Sequence, residues 1–177
     1  MNFLYRNSII REIYRKAECL YHLIGKEPGF DIIKSVELLG GSVVFDENAS
    51  LPVGVDARIN TFREDNETRF VITCAQLKSL EEIRFCIAHE LGHLFLHMTE
   101  MSADGTIKIR ETCFEKNNNY SDIYEWQAEE FAASFLMPEE EFREYVKKED
   151  GHIEQIAKIF KVPSQSVIVR SKRLEMF

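Results

Sequence analysis

The chain has 177 residues and a net charge of −8, and 45% of its residues are hydrophobic, enough for one sizeable core with room for a small appendage. The acidic balance argues against nucleic acid as the main partner, because phosphate binding wants a basic footprint. No run of about 18 apolar residues and no basic-then-apolar leader occurs, so neither a membrane span nor a secretory signal is expected.

Ile9, Ile10, Ile13, Tyr14, Ala17, Leu20, Tyr21 and Ile24 recur at helical spacing, and Gly25 stops the run. A second, short helix spans about Asp31 to Leu39 and ends at Gly40-Gly41, so residues 1–40 read as a helical N-terminal part. Ser42 to Phe45 reads as a strand. Arg58 to Thr61 and Arg69 to Thr73 read as two more, joined by the polar turn Glu64-Asp65-Asn66-Glu67. A small β-sheet packed on helices is the economical arrangement, an α+β fold.

Ser79-Leu80-Glu81-Glu82 has the S-x-x-E pattern of a capping box, in which the Ser hydroxyl and Glu carboxylate satisfy orphan backbone N–H groups. From there Ile83, Ile87, Leu91, Leu94 and Met98 form a buried stripe, widened by Phe85, Cys86, Ala88 and Phe95, so this helix is central. It carries His89-Glu90-Leu91-Gly92-His93, an H-E-x-x-H. Residues four apart share a helix face at about 6 Å along the axis, so His89 and His93 can reach one metal ion. Glu90 lies roughly 100° round the helix, where it can take a proton from water beside the metal without ligating. The bland alternative is a surface helix carrying two His and a Glu by chance. The buried stripe weighs against it, because buried imidazoles cost free energy unless they bond to something.

A catalytic zinc keeps three protein ligands and one open position, so a third ligand is needed. His97 continues the spacing, but an unbroken helix puts it about 12 Å along the axis from His89, too far to close a facial set. It reads as a neighbour of the site, a cleft wall or a helix cap. Cys86 reads as a small core residue. Cys19, Cys74, Cys86 and Cys113 lack C-x-x-C spacing and read as the reduced thiols of a cytoplasmic protein.

Residues 99–120, with Asn117-Asn118-Asn119, read as a long polar loop, of the kind that serves as a lid or stays disordered. A helix follows from about 122 to 136, capped by Ser121 or Asp122 and ended before Pro138. Its apolar face uses Trp126, Ala128, Phe131, Ala132, Phe135 and Leu136. Glu125 and Glu129 share a face, so one carboxylate can ligate while the other orients a ligating His; the plainer alternative is two solvated glutamates.

Residues 149–177 read as a separate C-terminal segment. Ile153 to Arg170 gives helix, tight turn, helix, with Ala157 at the close helix contact, Lys161 near the usual turn glycine and Ser164 capping the second helix. Lys158, Lys161, Arg170, Lys172 and Arg173 outnumber Glu154 and Glu175 there. DNA binding by this segment is one reading. A packed helical hairpin that completes the fold or meets a protein partner is favoured on an acidic chain.

The run Arg84-Phe85-Cys86-Ile87-Ala88-His89-Glu90-Leu91-Gly92-His93-Leu94-Phe95-Leu96-His97 resembles the signature of the ImmA/IrrE metallopeptidases. So does Glu125-Trp126-Gln127-Ala128-Glu129-Glu130-Phe131-Ala132-Ala133-Ser134-Phe135-Leu136-Met137-Pro138. The chain departs from the family pattern at Glu129, where Asn or Asp is usual, and at Phe135, where Leu is usual; Gln127 stands where many relatives have Glu. The resemblance covers about residues 40 to 140. It implies a zincin-like metallopeptidase core over residues 1–148, followed by the helix-turn-helix-like hairpin of 149–177. It also implies His89, His93 and Glu125 as ligands of one divalent ion, zinc or alternatively manganese, with Glu90 as general base. The substrate implied is a helix-turn-helix repressor, cleaved to derepress genes of a phage, a mobile element or a stress regulon. A strand bordering the cleft can hold an extended peptide by β-augmentation. The rival reading is a non-proteolytic regulator that binds a repressor or DNA and uses its metal structurally. Glu90 discriminates, because a structural site has no need of a base. Tyr120, Tyr124 and His97 are candidate oxyanion donors among which the sequence does not choose.

Overall fold

The computed structural model describes residues 3–47, 51–65, 67–76, 78–101, 107–109 and 121–176. Cys113, Asn117-Asn118-Asn119 and Tyr120 lie outside them. The fold is mixed α+β. The first helix, α1 (Phe3–Leu20), runs on into a π-helical turn over Tyr21–Gly25, which Lys26 ends with φ 67 by bonding back to Tyr21 O. Asp31 caps α2 (Ile32–Leu38), its carboxylate accepting from Lys34 N at 3.1 Å.

Strand β1 (Gly41–Asp46) is followed by the hairpin of β2 (Ala57–Glu64) and β3 (Glu67–Ala75). The sheet order is β1-β3-β2, with β1 parallel and β2 antiparallel to the central strand. Each strand therefore extends beyond its sequence-predicted core. Phe70, Ile72 and Cys74 alternate inward along β3, and Ile59 joins them from β2, so one face of the sheet enters the core.

Against that face lies α3 (Leu80–His97), which starts at a complete capping box: Ser79 accepts from Glu82 N while the Glu82 carboxylate accepts from Ser79 N. It packs on β2, β3, α1 and α2 as well as α4 (Ser121–Leu136), and so is central, as its continuous apolar stripe requires. Arg84 is buried; it donates to Phe30 O and lies over the Phe30 ring, 4.5 Å from its centroid, which ties α3 to the entrance of α2.

The stretch read as all loop is partly ordered into a ladder. Thr99–Met101 (β4) pairs antiparallel with Ile107–Ile109 (β5), held by backbone bonds in a segment too polar for an apolar alternation to show. A helix the hydrophobic pattern did not announce, α5 (Glu139–Lys148), begins directly after Pro138. Three glutamates in its first turn and two lysines in its last suit the helix dipole, and Phe142 and Val146 dock it.

The C-terminal segment forms α6 (Ile153–Phe160) and α7 (Ser164–Arg173). Lys161 takes the left-handed conformation, φ 51, that a glycine would otherwise supply. Ser164 does not cap α7: the helix starts at Ser164 itself, Pro163 holds the N-cap position at φ −58, and no side chain caps it. Arg170 is no surface cation either. It is 1% exposed, its Nε donates to Met137 O at 3.1 Å and its Nη2 to Ser134 Oγ at 3.2 Å, and its guanidinium lies 4.5 Å from the centre of the Tyr14 ring. Arg173 pairs with Glu130 at 2.8 Å, and Glu130 accepts from Tyr14 OH at 2.9 Å. Burial decides the difference for Arg170, which closes against Tyr14 of α1 and Ser134 of α4, whereas Arg173 is exposed and reaches in to the buried Glu130. Among the described residues no helix is long and apolar enough to cross a membrane.

Candidate metal centre

Two helices make the site, and their closest approach sets it. A Cβ at Gly92 would stand 3.0 Å from the Ala128 Cα and 3.0 Å from its carbonyl oxygen, so α3 and α4 touch nearly backbone to backbone. One turn before Ala128, α4 presents Glu125 to the His89–His93 face of α3.

The three side chains converge. His89 Nε2 and His93 Nε2 are 3.0 Å apart; Glu125 Oε2 is 3.2 Å from the first, and its Oε1 is 3.5 Å from the second. One ligand atom from each lies within 4.8 Å of the others, a group able to hold a metal ion. The donor set, two imidazole nitrogens and a carboxylate oxygen, suits a borderline ion such as zinc. Two imidazole nitrogens facing each other at 3.0 Å are good partners only when a proton or a cation lies between them. The imidazoles of His89 and His93 hold the Glu125 carboxyl well below the usual carboxylate range, so the group offers negative charge at the centre.

Glu90 stands beside this group and outside it. It is 8% exposed, and burial raises its pKa against the opposing pull of the His89 and His93 imidazoles and, least of all, of the Ile59 backbone N–H on β2, an outer strand of the sheet. Helix and sheet thus both border this carboxylate.

His97 is not in the group of three. Its Nδ1 lies 3.1 Å from His93 Nδ1, and its Nε2 lies 2.9 Å from Gln127 Oε1. Burial, the largest of several influences, pushes its pKa down to about 4. The Tyr124 ring packs against it, with centroids 4.6 Å apart. Glu129, weighed as the carboxylate that orients a ligating His, is exposed and outside the group of three; it lies one turn beyond Glu125 on the same flank of α4, turned about 100° from Ala128 at the helix contact. The residue beside a histidine is instead Gln127, a partner that the spacing of glutamates did not reveal. Its signals in the sequence were a polar side chain on α4 two residues from Glu125 and a place where many relatives have Glu. Cys86 also stays out of the group, its thiol pushed up to about 11 chiefly by burial.

Comparison with known proteins bears on the family and the fold. No curated protein sequence matches the chain. A solved structure of a Mycobacterium tuberculosis transcriptional regulator superposes with a TM-score of 0.61 at 22% identity, over 93% of this chain and 47% of that one. The likeness is one of fold, and the chain spans about half the length of that regulator. The profile of the IrrE N-terminal-like domain, Peptidase M78, matches residues 54–172. That match takes in α3, α4 and the group of His89, His93 and Glu125, and more than half of the chain: this protein belongs to the IrrE N-terminal-like, Peptidase M78 family.

Proposed function

We propose that this protein is a metal-dependent endopeptidase, with one divalent ion, zinc, held by His89, His93 and Glu125, and with Glu90 as general base. The observation that carries the reading is the convergence of three ligand-type side chains from two helices beside a buried carboxylate. A divalent ion held there would polarise a peptide carbonyl and lower the pKa of water. Glu90 takes the proton from the attacking water on its carboxylate and later delivers it to the departing amine. A structural metal site in a non-proteolytic regulator would leave such a carboxylate without a task.

On this reading α3, α4 and the small sheet form a zincin-like core, and α6 and α7 form a helix-turn-helix-like hairpin that completes the fold or meets a protein partner. We take the substrate to be a cytoplasmic helix-turn-helix repressor, cleaved to derepress the genes it controls. The test is to incubate the metal-loaded protein with repressors encoded near its gene, with and without a chelator. Chelator-sensitive cleavage of one repressor, absent in Glu90→Gln, supports the reading. Intact repressors throughout, with metal bound, remove it.

A further inference from the structure

Two contacts beyond the proposed ligands form a single chain: Gln127 Oε1 to His97 Nε2 at 2.9 Å, then His97 Nδ1 to His93 Nδ1 at 3.1 Å. The amide oxygen can only accept, so His97 Nε2 carries the proton and His97 Nδ1 presents a lone pair. His93 Nδ1 must then donate to it. With its proton on Nδ1, His93 has a bare Nε2, the atom that faces His89 and Glu125. We propose that Gln127 and His97 are positioning residues, which through this chain hold His93 in the Nδ1–H tautomer with Nε2 free to bind the metal. The inference rests on the proposed metal reading and adds to it two residues outside the group of three.

The sense of the chain depends on Gln127. Turned over, its NH₂ would donate to His97 Nε2, every proton would reverse, and His93 Nε2 would be protonated and unable to ligate. A glutamate at 127 accepts only, so Gln127→Glu preserves the productive sense, whereas Gln127→Met removes it with little change in size. His97→Phe breaks the next link. Gln127 is only half-buried, so Gln127→Met retains the fold even where His97→Phe disturbs it.

The experiment has two readouts on the intact chain, neither of them activity. First, long-range proton–nitrogen correlation spectra of the metal-free protein, at a pH where its imidazoles are neutral, locate the His93 proton. It is expected on Nδ1 in the parent and in Gln127→Glu, and shifted towards Nε2 in Gln127→Met and His97→Phe. Secondly, zinc affinity measured by chelator competition should fall about 10- to 100-fold in Gln127→Met and in His97→Phe, with Gln127→Glu at or above the parent. The double variant should be no weaker than the weaker single one, because both changes cut one chain. A proton on His93 Nε2 in the parent, or zinc affinities of Gln127→Met and His97→Phe equal to the parent's, would overturn the chain while leaving the metal reading standing. A parent protein that takes up no zinc would overturn both.

Discussion

Gly92 and Ala128 are in contact across the two site helices, so close that an added Cβ at Gly92 would meet the Ala128 Cα and carbonyl oxygen at 3.0 Å each. The glycine inside H-E-x-x-H therefore belongs to the packing of α3 on α4 as much as to the helix that carries it. Ala there would gain up to about 1 kcal/mol of helix propensity. Overpacking against backbone costs about 1–3 kcal/mol, so the packing loss wins. Gly92→Ala should lower the melting temperature, and Gly92→Val should lower it further. Both should weaken metal binding, because pushing α4 away withdraws Glu125. Thermal unfolding with and without zinc measures the two effects separately.

The ligand set predicts its own stoichiometry. Purified and reconstituted protein should hold about one divalent ion per chain, and His89→Ala or His93→Ala should lose most of it. Glu125→Ala should weaken binding strongly, and Glu129→Ala should leave it unchanged, since Glu129 is exposed. Elemental analysis and chelator competition decide. The reverse order for the two glutamates would mean that the third ligand is misassigned.

Glu90→Gln keeps the shape of the side chain and an acceptor oxygen but cannot take a proton from water. Metal content and melting temperature should hold while repressor cleavage falls at least about a hundredfold. Equal cleavage rates in the two proteins would remove the catalytic role.

At the start of α3, Ser79→Ala should cost about 1 kcal/mol, the ordinary worth of an N-cap. The partner carboxylate adds a pH signature. The Ser79 N–H and hydroxyl hold the Glu82 pKa below its usual value. A lowered pKa means that this contribution is present above the usual carboxylate range and is lost as pH falls through the folded value. Glu82→Gln should therefore melt below the parent at neutral pH and converge with it in acid. Parallel melting curves across that range would show that the carboxylate contributes no pH-dependent stability.

Arg170 and Lys172 lie two residues apart on α7 and should behave in opposite ways. Arg170→Ala empties a buried site and orphans the acceptors Met137 O and Ser134 Oγ, at a cost of about 2–4 kcal/mol. Lys172→Ala, on the exposed face, should leave stability within about 0.5 kcal/mol. DNA affinity should be negligible for the parent and for both variants; a sequence-specific, steeply salt-dependent complex in a gel shift would contradict this.

How far the sequence alone reached follows the range of the forces involved. Capping at Ser79, the apolar stripe of α3 and the row of His89, His93 and His97 are written within a few residues of chain, where helical geometry leaves little choice, and the structure agrees with them. Glu125 came from a resemblance between two motifs, since nothing local distinguishes it from Glu129. Pro138 marked the end of α4 but concealed α5, where Phe142, Tyr145 and Val146 do recur at helical spacing but within only ten residues and among many charges. Two relationships came only with the tertiary structure: Gln127 against His97, and the burial of Arg170 against Met137 and Ser134. Each joins residues at least about 30 positions apart through a hydrogen bond or a desolvated charge. Such groups look like surface residues in a sequence, because their partners are chosen by how helices and sheet pack and not by the residues beside them.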